Sequence, residues 1–210
     1  MKNPNMSFPV IFLSIVLAVV SAPSAVHAQG TVLDTKGRPV RAGEPYYVLP
    51  ADGNGGGLRH ESRATFHPRP CPHGVVQAQF PGSLGDPVTF SPWNSKLGFV
   101  PASTNLTIEF SPDSSSCPDQ PLVWTSAFSA WLRGSYVSTG GEVGREGSWF
   151  NILEDGGGGY KILHSRSGDQ VGIFDDHLAD ARVVVLGFRP LRVKFEMAYE
   201  TTDELLKKTG

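Results

Sequence analysis

Residues Val32 to Leu58 read VLDTKGRPVRAGEPYYVLPADGNGGGL, and this stretch decides the fold class. It consists of two short extended segments separated by turns. Val32-Leu33 runs into Asp34-Thr35-Lys36-Gly37, a polar turn in which glycine takes the positive-φ position. Pro45-Tyr46-Tyr47-Val48-Leu49-Pro50 is aromatic and β-branched and is bracketed by prolines, as an edge strand can be. Asp52 to Gly57 is too glycine-rich for a strand or a helix and reads as a loop.

Upstream of this stretch, residues 1–28 read as a secretory signal. Lys2 supplies the positive start, Phe8–Val20 is a mostly apolar run of 13 residues, and Val26-His27-Ala28 is a small-residue cleavage site. Such a run is too short to span a bilayer core of about 30 Å as a helix. Removal after Ala28 leaves a domain over residues 29–200 and a polar tail over 201–210, secreted or vacuolar and free of the membrane. A chain of this length buries a core without help from multiple disulfides.

The 210-residue chain carries 18 Lys and Arg against 20 Asp and Glu; without Lys2 the balance is −3. A weakly acidic chain without a basic block excludes nucleic acid as the expected partner. With 24 glycines, 17 prolines and 18% charged residues, the composition is that of many short strands joined by turns. The strand-like runs are Gly74–Gln79, Pro87–Ser91, Leu106–Phe110, Leu122–Trp124, Trp149–Leu153, Tyr160–Leu163, Val171–Phe174, Arg182–Leu186 and Leu191–Met197. Leu106-Thr-Ile-Glu-Phe110 and Leu191-Arg-Val-Lys-Phe195 share one alternating pattern and read as equivalent strands of an internal repeat. Cys71 and Cys117 are the two cysteines, and in an oxidising compartment they are expected to pair.

Several chemistries find no support. Asp155-Gly-Gly-Gly-Gly-Tyr160 and Gly140–Gly147 lack the following helix that a phosphate loop needs. His60, His67 and His73 lack metal-ligand spacing and read as solvated loop residues, so no metal or other cofactor is expected. Asp175-Asp176-His177 reads as a hairpin tip. No nucleophile elbow occurs, so an enzyme is not expected. Asn105-Leu-Thr107 is a glycosylation sequon.

The whole constellation resembles the plant Kunitz inhibitors of the soybean trypsin inhibitor type. After the opening stretch come Cys71-Pro72 with Val75-Val76-Gln77, then Pro87-Val-Thr-Phe-Ser-Pro-Trp93 and Asn105-Leu-Thr-Ile-Glu-Phe110. Cys117, Trp124, Ser148-Trp-Phe150, Tyr160-Lys-Ile-Leu163 and Val171-Gly-Ile-Phe174 follow in the family's order. The flavour is that of cereal subtilisin/α-amylase inhibitors and miraculin-like proteins. The resemblance implies an all-β fold, a monomeric β-trefoil. Its twelve strands would be six in a barrel and six in a hairpin cap, with pseudo-threefold symmetry.

The resemblance also implies a function: inhibition of a trypsin-, chymotrypsin- or subtilisin-like serine protease. The inhibitory loop falls at about residues 91–101, an extended segment stiffened by prolines at both ends. Its tip is Trp93, Asn94, Ser95, Lys96, Leu97 and Gly98. Three residues compete for P1, the side chain that enters the S1 pocket. Counting from Ser91-Pro92-Trp93 gives Asn94; an insertion ahead of P1 gives Lys96; Leu97 would suit an apolar pocket. The alternative is a non-inhibitory trefoil that serves as a storage protein or binds α-amylase, carbohydrate or another ligand. Three departures stand out. A second cysteine pair is missing at His164-Ser-Arg-Ser-Gly168, the loop is longer by about two residues, and Ala42 replaces an asparagine that braces the loop in trypsin-directed relatives.

Overall fold

The computed structural model describes residues 30–62, 71–112, 117, 119–178 and 180–199. The signal segment, the tail and His67 lie outside them. Six strands bury alternate side chains and close into a barrel. They are β1 (Tyr46–Pro50), β4 (Val88–Pro92), β5 (Leu106–Phe110), β8 (Phe150–Glu154), β9 (Tyr160–His164) and β12 (Val193–Met197), joined in the order β1-β12-β9-β8-β5-β4. Val48, Phe90, Ile108, Ile152, Ile162 and Phe195 are all fully buried inside it. Trp124 packs into the same core, in contact with Phe110 and Phe150.

The other six strands form the cap: β2 (Leu58–Glu61), β3 (Gly74–Gln77), β6 (Thr125–Ser129), β7 (Gly134–Ser138), β10 (Val171–Asp176) and β11 (Ala181–Leu186). The run Val183-Val-Val-Leu186 is apolar at every position because this strand is covered on both faces. Val184 and Leu186 join the barrel core, while Val183 and Val185 join a second cluster with Val76 and Tyr136. The fold is thus the expected β-trefoil.

The threefold relation is visible in the pairings. β1 meets β4 at Tyr46–Val88, β5 meets β8 at Leu106–Phe150, and β9 meets β12 at Tyr160–Val193. Each unit therefore opens on β1, β5 or β9 and closes on β4, β8 or β12. This corrects the repeat read from sequence: Leu106–Phe110 opens the second unit, whereas Val193–Met197 closes the third. The two share a pattern because every barrel strand buries alternate residues. Leu122–Trp124 is not a strand; Val123 makes a single bridge to Glu109 beside β5. Asp175 and Asp176 end β10, and of the three residues His177 alone lies in the turn.

A second correction concerns the histidines. His60 lies in β2 and His73 just before β3, and both are buried rather than solvated. Their Nδ1 atoms are 2.7 Å apart and their rings stack at 4.9 Å. One ring donates a proton and the other accepts it, so at least one must be neutral. His73 also lies beside the sulfurs of Cys71 and Cys117, which are spent in the Cys71–Cys117 disulfide and cannot act as thiolate ligands.

Burial pushes both imidazoles below their ordinary range, with Asp86 opposing; His60 further depresses His73. Burial does the same to His164. The unfolded chain then binds protons first as pH falls, starting near the free histidine value of about 6.5, and stability drops until the folded-state values are passed. Half-buried Glu109, pushed upward by its partial burial, acts in the opposite sense at lower pH. We expect the melting temperature to decline as pH is lowered from about 7 to 5. The decline is expected to be shallower in His73→Asn, whose amide can still meet His60 but takes up no proton. An identical pH profile in both proteins would exclude this pair as the source.

Candidate functional site

The stretch that opens the domain builds the floor of the β4–β5 loop. Asp34 nucleates a turn: its Oδ1 accepts the N–H groups of Lys36 and Arg38 at 2.8 and 2.9 Å, and its carboxylate pairs with the Arg38 guanidinium at 2.9 Å. Gly37 takes φ 74°, as expected from the sequence. The turn folds Val32 and Val40 together, and both are fully buried. The loop's downstream flank is then laid against this hairpin. Val32 N–H donates to the Val100 carbonyl at 3.0 Å, Val100 N–H to Val40 at 2.8 Å, and Ala42 N–H to Gly98 at 3.3 Å. Ala102 N–H donates to Gly30 at 2.7 Å, and Thr31 bridges Pro101.

The tip is tied differently. Trp93 N–H donates to the Asn105 carbonyl at 2.9 Å, which closes the base. Beyond it the chain makes a turn of its own, with Leu97 N–H on the Asn94 carbonyl at 3.1 Å and Lys96 N–H on Asn94 Oδ1 at 3.2 Å. The loop expected to be extended throughout is therefore extended only on its flanks. The physical reason is Asn94, whose side chain mimics a backbone acceptor and stabilises a turn. Ser95, Lys96 and Gly98 are exposed, while Asn94 and Leu97 are half-buried. Trp93 is 65% exposed and Phe99 40% exposed, so the loop carries apolar surface on both sides of Lys96 in the chain. Such surface is suited to burial against another protein. Asn105 is exposed at the loop's end, while Thr107 of its sequon is buried in β5.

All six tip residues named from the sequence thus fall on one hairpin. Its supports escaped the sequence reading: Tyr46 and Tyr160, whose phenols hold the floor from below. The only advance signal was that tyrosines occupied positions that leucine occupies elsewhere in the repeat.

The described residues form a trefoil that presents the β4–β5 loop to solvent on a floor built by the N-terminal hairpin. The chain belongs to the Kunitz family of plant trypsin and protease inhibitors, whose family model matches residues 32–197. It is 37% identical to Kunitz trypsin inhibitor 3 of Arabidopsis thaliana over all of this chain and 97% of that one (100% and 97%). Among solved structures it is similar to a trypsin inhibitor from Crataeva tapia, with 34% identity, TM-score 0.67, and 76% of this chain and 99% of that one covered. It is also similar to the water-soluble chlorophyll protein of Brassica oleracea var. Botrytis, solved with chlorophyll b. There the identity is 28%, the TM-score 0.72, and the coverage 81% and 99%. The protein is a protease inhibitor by family and not an enzyme.

Proposed function

We propose that the protein is a secreted inhibitor of trypsin-like serine proteases that offers Lys96–Leu97 as its scissile bond. The observation that carries this reading is the unequal tethering of the loop. Gly98 to Ala102 are fastened to the N-terminal hairpin, so the extra loop length falls ahead of them, at Asn94 to Lys96. An insertion there shifts P1 from Asn94 to Lys96. Asn94 is spent on the turn, whereas Lys96 stands exposed and can reach a carboxylate at the base of an S1 pocket. Exposed Asn105 is the proposed glycan acceptor on the secretory route. The test is a titration against trypsin, chymotrypsin and subtilisin, followed by N-terminal sequencing of any slowly cleaved product. A new terminus at Leu97 supports the reading; one at Ser95 or Gly98 moves P1. Complete digestion without inhibition overturns it.

The tip turn has a consequence for strength. A protease takes the residues around P1 in extended form, so the Asn94–Leu97 hydrogen bond must open on docking. That ordering cost weakens binding relative to a fully preorganised loop. At position 42 the brace on Gly98 is the backbone N–H of Ala42, with no side-chain donor beside it. Ala42→Asn restores the side-chain donor of trypsin-directed relatives and is expected to tighten inhibition by roughly tenfold, about one hydrogen bond's worth. An unchanged inhibition constant would show that the Asn94 turn, not the missing brace, limits affinity.

A further inference from the structure

The hairpin beneath the loop leaves two backbone N–H groups facing away from their β partners. At the Leu33–Pro39 bridge the ladder bonds come from Asp34 N–H to the Arg38 carbonyl and Val40 N–H to the Val32 carbonyl, each 2.8 Å. At the Arg41–Phe99 bridge they come from Ala42 and Val100. Leu33 and Arg41 themselves therefore point their N–H groups out of these ladders. Each meets a phenol. Leu33 N–H donates to Tyr160 Oη at 2.8 Å, and Arg41 N–H donates to Tyr46 Oη at 3.0 Å.

The two tyrosines are equivalent by topology, each opening its unit opposite a valine, Val88 or Val193. The third equivalent is Leu106, at the point where the loop returns to the barrel, and it carries no hydroxyl. Both tyrosine rings are buried and rest on a continuous aromatic row. Tyr46 contacts Phe90, Phe90 contacts Phe195, and Phe195 contacts Tyr160, with centroids 6.2, 5.3 and 5.5 Å apart. The phenolic oxygens are thus fixed by the core, not by the surface segment they hold.

We propose that Tyr46 and Tyr160 are positioning residues for inhibition. Their hydroxyls lock the N-terminal hairpin, and the hairpin in turn holds Gly98 to Val100 behind the scissile bond. The idea rests on the loop reading given above, and neither tyrosine need touch the protease. Phenylalanine at either site keeps the ring packing and removes only the acceptor, which leaves a backbone donor without its partner.

The test compares Tyr46→Phe, Tyr160→Phe and the double variant with Tyr136→Phe, which alters a buried tyrosine in the cap. Two measurements are made: hydrogen exchange at the Ala42 and Val100 amides, with Val48 and Ile108 as internal references, and the inhibition constant with the rate of loop cleavage by trypsin. Each single variant is expected to speed exchange at Ala42 and Val100 by about tenfold and to weaken inhibition similarly, with faster cleavage; tenfold corresponds to ~1.4 kcal/mol. Tyr136→Phe is expected to do neither. Unchanged exchange in the double variant overturns the phenol lock, whatever the inhibition. Faster exchange with unchanged inhibition and cleavage overturns the positioning role. If the wild-type protein inhibits no protease, the loop reading itself falls, while the exchange result still reports on the lock.

Discussion

Lys96→Ala is expected to remove trypsin inhibition almost completely, by a factor of about a thousand or more, without changing the fold. The magnitude follows from what a P1 lysine does. It buries one long side chain in a pocket whose charge it neutralises, and central anchors of this kind carry about 4 kcal/mol or more of an interface. The stability effect is small because Lys96 is exposed and only its backbone N–H takes part in the Asn94 turn. Lys96→Leu sharpens the test. It is expected to lose trypsin and gain chymotrypsin- or subtilisin-like targets, since the same bond is offered with an apolar side chain. If Lys96→Ala still inhibits as the parent does, P1 lies elsewhere. Asn94→Ala and Leu97→Ala then decide between the two remaining positions.

Strands with strict alternation were legible in the sequence, and the opening stretch carried the family likeness. Leu106-Thr-Ile-Glu-Phe110, with its three apolar side chains on one face, could hardly be anything but a strand. The hairpin β6–β7 was not legible, because Thr125-Ser-Ala-Phe-Ser129 and Gly134-Ser-Tyr-Val-Ser138 are rich in serine and glycine and show no strict alternation, although Tyr136, Val137 and Ser138 are buried. Short β2, Leu-Arg-His-Glu, failed for a related reason: two of its four side chains are charged. The histidines were misread because their burial depends on each other. His60 and His73 satisfy one another across 13 residues of chain, and no local pattern announces such a pair. At the loop the residues could be named but not their conformation. Proline at both ends argues for extension, and the Asn94 turn between them is a local hydrogen-bonding choice. The bracing phenols needed the barrel itself, since Tyr160 meets Leu33 across a separation of 127 residues.

Loss of the Cys71–Cys117 bond is expected to cost about 4 kcal/mol of stability and to leave the inhibition constant of the folded protein unchanged. The figure comes from loop closure. The bond joins residues 46 apart, and cross-linking a loop of that length removes conformational entropy from the unfolded chain worth about 4 kcal/mol. For a domain stable by some 5–15 kcal/mol this is a large share. At roughly 2–4 °C per kcal/mol, the melting temperature should fall by about 10 °C in Cys71→Ser/Cys117→Ser. The missing second cysteine pair near His164 makes the dependence on this one bond sharper. It ties the chain entering β3 to the segment between β5 and β6, so it fastens the first unit to the second. The loop's supports come instead from the hairpin Val32–Val40 and from Tyr46 and Tyr160, none of which involves either cysteine. Stability and inhibition should therefore separate in this variant. A fall in melting temperature with an intact inhibition constant at 25 °C is the expected pair of results. A parallel loss of inhibition in protein shown to be folded would mean that the cap and the loop are mechanically coupled, contrary to the contacts described.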